Sequence, residues 1–298
     1  MLSKVRSFFA ERSILEVDTP ILFLTAPTDL HIEPLVVSFN NEKRGYLHSS
    51  AEYGMKRLLS LGVGDIYQLS HVFRDEQRGR YHHPEFMMIE WYRMEHSFHA
   101  MVTETLSLIQ LFVKDSSPVI YYTYAEAFEK FVGVDYRTAT IDDLRKIAEE
   151  EDLPLPHDPN LFWSKETYLY FMMSFLIEPK LLGLNVIYHF PPSQAALAQV
   201  RRFGGEEIAE RFEIYCHGVE LANGFQELVD PVEQRHRFEK ISLERKRQGK
   251  PLFPWDKEFM ASLEKGIPPC CGVAVGFDRL LMLKLKRESL AEVLPLTL

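Results

Sequence analysis

The sequence predicts an α+β fold in which a strand-rich core carries helical additions. Three observations lead to this class. First, the runs 66–69 and 86–92 flank a polar, glycine-containing turn, which is typical of an antiparallel hairpin. Second, further strand-like runs occur at residues 186–190 and 272–276. Third, segments with apolar side chains at helical spacing, such as residues 97–113, separate these runs.

Length and composition describe a globular chain. Its 298 residues are 46% hydrophobic and 26% charged, so they can bury a sizeable core in one large domain or two small ones. A net charge of −9 disfavours broad, nonspecific nucleic-acid binding. The N-terminus lacks the apolar run of a signal peptide, and no window approaches the roughly 20 apolar residues of a membrane span. The three cysteines form no CxxC pair, which favours reduced thiols and a cytoplasmic protein.

The other elements follow in chain order. An amphipathic helix opens the chain, and an extended stretch follows it up to Pro20. Strands are predicted at 32–39, 46–50 and 213–221, and helices at 53–61, 232–248 and 280–285. Residues 123–180 predict a helical insertion within a single domain of residues 1–298. The basic segment from Lys240 to Lys250 is expected to be a solvated face, with contact to an acidic partner as the alternative.

The predicted hairpin carries an unusual set of charges. Arg74, Asp75 and Glu76 stand at the mouth of its turn, beside a strongly apolar strand. Packing does not require charged side chains at the turn of a hairpin. Anion binding does, because a guanidinium presents a rigid fork of hydrogen-bond donors to a phosphate or carboxylate. The sequence therefore predicts an anion-binding platform. A metal site is disfavoured at the nearby histidines, which lack a fixed ligand spacing: His71, His82 and His83.

Two later segments also suggest a ligand. Glu220 and Glu227 lie seven residues apart, and a carboxylate pair can hold Mg²⁺ against substrate phosphates, although strand-end glutamates are common. The small-residue strand 272–276 leads into a helix with Arg279 in its first turn, where a cation is unfavourable for the helix dipole. Glu52, at the start of an earlier helix, suits either the dipole or a ligand.

Taken in order, these motifs resemble those of class II aminoacyl-tRNA synthetase catalytic domains. Four features occur in the order and at the spacing of those motifs: the initial helix that leads to Pro20, the arginine-bearing hairpin, the glutamate pair, and the glycine-containing strand that leads into the helix with Arg279. The sequence is similar to the lysine subgroup over essentially the whole chain. The segments that show it are Ser50-Ala51-Glu52-Tyr53, Arg74-Asp75-Glu76, residues 80–86, Glu90-Trp91-Tyr92 and residues 220–228. The resemblance implies a mostly antiparallel sheet flanked by helices.

Within that subgroup, the chain looks most like the stand-alone branch that ligates β-lysine to a lysine of translation elongation factor P. The chain begins at the first-motif helix, so no anticodon-binding barrel and no tRNA anticodon recognition are expected. Ala274 stands where the synthetases carry glycine, and one added methyl group reshapes a substrate pocket by roughly 1–3 kcal/mol of discrimination. The resemblance implies ATP, Mg²⁺, (R)-β-lysine or lysine, elongation factor P as acceptor, and a homodimer.

The resemblance also implies a role for particular residues. Arg74 and Arg279 would be catalytic, with Arg74 binding the α-phosphate and the substrate carboxylate. The ATP-binding residues would be Arg74, Asp75, Glu76, His83, Glu220, Leu221, Gly276 and Arg279. The amino-acid pocket would contain Ser50, Ala51, Glu52, Tyr92, Glu227 and Ala274, and the Mg²⁺ ligands would be Glu220 and Glu227. Two positions depart from the family pattern: His83 replaces the usual Asn, and Ala51 the usual Pro.

Three alternatives stay open at this point. A lysyl-tRNA synthetase-like enzyme could charge tRNA or another carrier. An amide-forming relative such as an ammonia-dependent asparagine synthetase is disfavoured by the lysine-type pocket. An inactive, nucleotide-binding regulatory paralogue is disfavoured because the charged motif residues are kept together: Arg74, Glu76, Glu220, Glu227 and Arg279.

Overall fold

The computed structural model describes residues 1–40, 43–75, 78–115, 117–154 and 163–296. The chain divides into two compact units. The first contains Met1–Lys114, Leu197–Gln199 and Ala222–Leu298, and the second contains Asp115–Ala196 and Val200–Leu221. The prediction of a single domain with an insertion at 123–180 stays a prediction.

The elements follow in chain order. Residues 1–114 form α1 (Leu2–Ala10), β1 (Leu15–Glu16), β2 (Leu22–Phe23), β3 (Val36–Ser38), β4 (Arg44–Leu47), α2 (Glu52–Ser60), β5 (Ile66–Phe73), β6 (Glu85–Met94) and α3 (Phe98–Gln110). The next segment forms β7 (Ile120–Thr123), α4 (Tyr124–Phe131), α5 (Ile141–Glu150), α6 (Lys165–Met172), β8 (Leu184–Phe190), β9 (Val200–Phe203) and β10 (Glu206–Cys216). The C-terminal segment forms β11 (Val219–Gln226), α7 (Pro231–Arg247), α8 (Lys257–Lys265), β12 (Cys270–Gly276) and α9 (Phe277–Lys284).

A mostly antiparallel sheet forms the centre of the first unit. Its strand order is β1-β5-β6-β12-β11, and of these pairs β1–β5 is parallel while the others are antiparallel. The predicted hairpin is the β5–β6 pair, with Ile66 opposite Tyr92 and Phe73 opposite Glu85. A smaller antiparallel sheet has the order β2-β4-β3. The predicted α+β class with mostly antiparallel pairing is confirmed.

Helix α2 is packed between this sheet and α8. It buries Met55, Lys56 and Leu59, and the ring of Tyr53 stacks on Phe259 with 4.2 Å between ring centroids. Apolar side chains from α2, α7 and α8 share one core, which removes their area from water. This packing fixes the start of α2, and therefore Glu52, above the sheet face that carries the site described below.

The second unit has its own sheet and core. Strand β8 lies between β10, which is antiparallel to it, and β7, which is parallel to it, and β9 pairs with β10. Aromatic and aliphatic side chains of α4–α6 pack on this sheet, among them Tyr124, Phe128, Leu144 and Met172. Capping boxes at Thr123 and Thr140 begin α4 and α5 by satisfying the first backbone donors of each helix.

Some predicted elements need correction. The strand predicted at 213–221 is wrong, because His217 and Gly218 both have positive φ and form a turn that separates β10 from β11. The last predicted helix begins at Phe277, three residues earlier than expected. The basic end of α7 is only partly solvated: Lys246 is exposed, whereas Arg245 is buried and contacts Glu33 at 2.8 Å. In the described parts of the chain, no helix is both long and apolar enough to cross a membrane.

Candidate active site

One face of the β6–β12 pair forms the floor of the candidate site. Glu90 lies opposite Ala274, and Tyr92 lies opposite Gly272. Because paired residues of neighbouring strands project from the same face, these four positions form two adjacent rows. Asn223 of β11 continues the row of Ala274, and its buried Oδ1 has no hydrogen-bond partner among the residues that the structure describes. The small residues Gly272 and Ala274 leave space above the sheet beside the larger polar side chains of Tyr92 and Glu90.

A buried carboxylate, Glu90, is the centre of the first cluster. Tyr92 donates its hydroxyl to Oε1 at 2.8 Å, Ser50 donates to both carboxylate oxygens at 2.9–3.0 Å, and the Ala51 amide donates to Oε2 at 3.0 Å. Burial raises the pKa of Glu90 to about 7, with a further contribution from the charge of Glu52, although these hydrogen bonds favour the ionised form. The predicted pocket residues Ser50, Ala51 and Tyr92 are thus brought together around one carboxylate.

A second cluster joins the predicted residues Glu52 and Glu227 through a lysine. Lys56 Nζ lies 2.6 Å from Glu52 Oε1 and 2.6 Å from Glu227 Oε2. Lys56 and Glu227 are almost completely buried, with 0% and 2% of their surface exposed. Buried lysines and glutamates of this kind occur in proteins almost only as paired charges.

Opposing effects act on the pKa values of this buried pair. Burial lowers the pKa of Lys56, but the charges of Glu227 and Glu52 outweigh burial and the net shift is upward. Burial raises the pKa of Glu227, and the charges of Glu52 and Glu90 add to that rise against the attraction of Lys56. Two carboxylates thus contact one ammonium while the charge of a third, Glu90, also acts on Glu227, so a cationic ligand would relieve the remaining repulsion.

Gly272 provides the space that these side chains occupy. A methyl group at Gly272 would lie 2.2 Å from Glu227 Oε1 and 2.4 Å from Tyr92 Cε1, closer than real atoms approach. Only glycine therefore allows Glu227 and Tyr92 to lie side by side over β12. Glu227 itself is placed by its backbone amide, which donates to the Cys270 carbonyl at 3.0 Å.

The hairpin turn carries a separate group of cationic and aromatic side chains. Arg74 follows β5 directly, its amide donates to the Pro84 carbonyl at 2.9 Å, and its guanidinium carbon lies 5.2 Å from the centre of the Phe86 ring. The Asp75 amide donates to the Glu33 carbonyl at 2.9 Å. The turn residues are therefore tied both to the returning strand and to the loop before β3.

Arg279 extends from α9 towards the same turn. Its Nε donates to the Tyr81 carbonyl at 3.2 Å, and its Nη2 lies 3.0 Å from His82 Nε2. Gly276, at the start of α9, is partly exposed, and a methyl group there would meet nothing closer than Arg279 Cδ at 3.6 Å. An arginine beside a partly exposed glycine can hold a planar or phosphate-bearing ligand close to the backbone.

The partly exposed side chain of His83 belongs to this turn as well. Its Nδ1 lies 2.7 Å from the Glu85 carbonyl oxygen, which assigns Nδ1 the donor role. Its Nε2 is buried and finds no hydrogen-bond partner in the described part of the chain. A buried nitrogen of this kind requires a partner, which a ligand or a water molecule can supply.

Comparison with known proteins shows the family of the chain. The family of tRNA synthetases class II (D, K and N) matches residues 1–297. The chain belongs to this class II family. Within the family it is 42% identical to the elongation factor P–(R)-β-lysine ligase of Avibacterium paragallinarum, over 99% of this chain and 92% of that protein. The ligases of the same name from Edwardsiella ictaluri and Haemophilus influenzae are 42% and 40% identical, over 99% of this chain and 91% of each protein. The resemblance predicted from the motifs is confirmed.

Several predicted residues of this class II chain fall outside the clusters. Glu76 lies outside the described residues. Glu220 and Leu221 lie in the second unit, whereas Glu227 lies in the first. No group of three or more His, Cys, Asp or Glu side chains within the described ranges is placed to hold a metal ion. The ATP and Mg²⁺ roles of Glu220 and Leu221 stay predictions.

Four residues of the candidate site were missed by sequence reasoning: Glu90, Lys56, Asn223 and Gly272. Glu90 could have been found, because it alternates with Tyr92 on the return strand of the hairpin and so shares its face. Lys56 gave no signal, since a lysine four residues after a glutamate is typical of a solvated helix face. Its burial depends on Glu227, far along the chain.

Proposed function

We propose that the chain activates (R)-β-lysine with ATP and transfers it to a lysine side chain of translation elongation factor P. The observation that carries this proposal is the carboxylate cluster of Glu52, Glu90 and Glu227, which includes one lysine and is largely withdrawn from water. An amino acid with two ammonium groups complements such a cluster. The name shared by the relatives supplies the β-isomer and the acceptor.

The chemistry has two balanced steps. The carboxylate of the amino acid attacks the α-phosphorus of ATP, forming the aminoacyl-adenylate and releasing pyrophosphate. The ε-amine of the acceptor lysine then attacks the adenylate carbonyl, forms an amide, loses its proton and releases AMP. Arg74 is proposed to hold the substrate carboxylate and the α-phosphate, which offsets the negative charge of the transition state.

The nucleotide is proposed to bind at the hairpin turn. Phe86, Arg279 and Gly276 offer a ring, a guanidinium and an open backbone, and His83 Nε2 offers a buried acceptor. Magnesium is proposed to neutralise the ATP phosphates. Glu220 remains the proposed protein ligand for it. The contact of Glu227 with Lys56 fits the amine-binding role better than a metal role, because a metal ion would have to displace this ammonium.

The test of this proposal is ATP–pyrophosphate exchange with (R)-β-lysine, α-lysine and aspartate side by side, with and without excess EDTA. We expect exchange with (R)-β-lysine above α-lysine, none with aspartate, and loss of exchange with EDTA. Transfer is then measured by intact-protein mass spectrometry of elongation factor P and of its variant lacking the acceptor lysine. Absence of exchange with all three amino acids would mean a regulatory paralogue instead of an enzyme.

Charging of tRNA is the alternative that the family description raises. The same lysine-type pocket would serve it, so the amino acid alone does not separate the two acceptors. A direct competition does: the preformed adenylate is offered equal amounts of elongation factor P and lysine tRNA. Label on the protein supports the ligase proposal, and label on the tRNA contradicts it.

A homodimer in the cytoplasm is proposed as the working form. Several large apolar side chains are exposed in the single chain, Leu22, Leu24 and Val36 in and next to strands β2 and β3, and Leu15 in β1. A second copy would cover such a surface. The three free, buried cysteines suit a reducing compartment. Light scattering of the wild type and of Leu24→Lys tests the assembly; we expect a dimer that the substitution weakens.

A further inference from the structure

Lys56 is the feature of the site that the proposed chemistry leaves unexplained. Its ammonium is 2.6 Å from one oxygen of Glu52 and 2.6 Å from one oxygen of Glu227. Its side chain is 1% exposed, in a helix whose neighbouring buried positions, Met55 and Leu59, are apolar. An apolar side chain of similar volume would pack there without losing hydration, so stability alone does not explain a lysine.

The position of Lys56 has a geometric consequence for both carboxylates. Because Oε1 of Glu52 and Oε2 of Glu227 both contact Nζ, the two groups are held at a fixed separation by one short bridge. The other oxygen of Glu227, Oε1, is directed at the backbone of Gly272 on the pocket floor. The bridge therefore uses one oxygen of each carboxylate and sets the orientation of the other.

Lys56 also sets the charge of the cluster. Glu52, Glu90 and Glu227 carry three negative charges when ionised, and the ammonium cancels one of them. Two charges remain, which matches the two ammonium groups of a diamino acid. Other titratable side chains that contribute to this cluster are neutral at physiological pH: Tyr53, Tyr92 and Cys270.

We propose that Lys56 is a specificity-determining positioning residue, which makes the pocket select amino acids with two ammonium groups over those with one. It acts through Glu52 and Glu227 and does not touch the reacting atoms. This inference rests on the proposed function, because it assumes that the cluster receives the amino groups of the substrate. It goes beyond that function in assigning the selection to a buried cation of the protein.

The test uses Lys56→Met, which keeps the length of the side chain and removes its charge. We expect kcat/KM for (R)-β-lysine at pH 7.5 to fall about 100-fold, mainly through KM, because an uncompensated buried charge disturbs both carboxylates. KM for ATP should change less than about 2-fold, since the ammonium of Lys56 contacts Glu52 and Glu227, whereas the nucleotide is proposed to bind at the hairpin turn. The preference for (R)-β-lysine over norleucine, which has one ammonium group, should shrink about 10-fold.

The pH profile separates positioning from simple loss of structure. Lys56 holds down the pKa of Glu227, so without the ammonium Glu227 keeps its proton more tightly and the rising limb of kcat/KM should move to higher pH in Lys56→Met. Lys146→Met is the matched control, because Lys146 also pairs with a glutamate four residues away, Glu150 at 3.7 Å, but on an exposed helix. The control should keep the wild-type limb.

The outcomes distinguish the inference from the proposed function. Wild-type protein that activates no diamino acid contradicts the proposed function, and the inference falls with it. Active wild type with a Lys56→Met variant that keeps the same KM, selectivity and pH limb overturns the inference alone. If circular dichroism shows that Lys56→Met does not fold, Lys56→Arg replaces it as the test. A pH profile of kcat/KM with the wild-type rising limb and a raised KM for (R)-β-lysine supports the role of the charge. A rising limb displaced from that of wild type overturns it.

Discussion

Ala274 lies directly opposite Glu90 in the antiparallel pair of β12 and β6, and its methyl group shares the face of the carboxylate. It is partly exposed in a strand whose neighbours Val273 and Val275 are buried, so this face is open to a ligand. The methyl group therefore limits the space beside Glu90. Isomers of lysine that differ in the position of an amino group should therefore fit this space differently.

The first prediction concerns that methyl group. Ala274→Gly should relax selection towards α-lysine, changing the ratio of kcat/KM for β-lysine and α-lysine about 10-fold, as expected for one methyl group in a pocket. Exchange kinetics with both isomers measure the ratio. Ala222→Gly is the matched control, because Ala222 lies on the adjacent strand opposite Val275, on the other face. An unchanged ratio in Ala274→Gly would remove this residue from the specificity argument.

The second prediction follows from the raised pKa of Glu90. Only the ionised carboxylate attracts an ammonium group, so kcat/KM for the diamino acid should rise as the pH passes through about 7, the pKa that burial and the charge of Glu52 give Glu90. Glu90→Gln should lower kcat/KM about 100-fold and remove the part of the limb near pH 7. A profile from pH 5.5 to 8.5 checks both. An identical limb in the variant would assign the titration to another group.

The third prediction uses the same pKa in the free protein. The folded state holds the Glu90 proton up to about pH 7, whereas the unfolded chain releases it near 4.5. The stabilising contribution of protonation is thus complete below 4.5 and is lost as pH rises through 7. Glu90→Gln keeps the neutral form, so its free energy of unfolding should exceed that of wild type by up to about 3 kcal/mol at pH 8 and match it at pH 4.5.

Urea unfolding at both pH values measures this difference without substrate. Adding (R)-β-lysine should stabilise the wild type at pH 8 and leave Glu90→Gln almost unaffected, since the ligand supplies the missing positive charge. A variant less stable than wild type at pH 8 would show that the hydrogen bonds from Ser50 and Tyr92 outweigh the cost of the buried charge.

The fourth prediction tests the close approach at Gly272. In Gly272→Ala the new methyl group would lie 2.2 Å from Glu227 Oε1, so Glu227 or Tyr92 must move. We expect kcat/KM for the diamino acid to fall at least about 100-fold while KM for ATP is nearly unchanged. Gly276→Ala is the contrasting control on the same face: it meets no atom closer than 3.6 Å, and it should raise KM for ATP instead. Equal effects of both variants on both substrates would contradict the separation of an amino-acid pocket at Gly272 from a nucleotide site at Gly276.

These residues also show what the sequence could and could not predict. The charged hairpin was predictable because two alternating strands and a polar turn are local patterns. Four residues of the proposed pocket were predicted from sequence motifs that resemble those of the family: Ser50, Glu52, Tyr92 and Glu227. Lys56 was not predictable, because its burial depends on a carboxylate that reaches it only in the folded chain.

The errors have local causes as well. The turn at His217 and Gly218 was missed because the strand-forming residues on both sides read as one run, although a glycine after a polar residue is a turn signal. Helix α8 was not predicted, yet Asp256 caps it and Phe259 and Leu263 have helical spacing. Gly272 needed knowledge of two strands at once, since the atoms that exclude a side chain there belong to Tyr92 and Glu227.

The last prediction concerns His83, beside the hairpin turn. Its Nδ1 is held by the Glu85 carbonyl, so its buried Nε2 can accept a hydrogen bond from the nucleotide. His83→Ala should raise KM for ATP about 3- to 10-fold, the worth of one hydrogen bond, and leave KM for the amino acid unchanged. His83→Asn should stay within about 2-fold of wild type, because its side-chain oxygen is also an acceptor. Exchange kinetics with varied ATP measure these values, and an alanine variant with wild-type KM for ATP would show that the ring serves only to hold the turn.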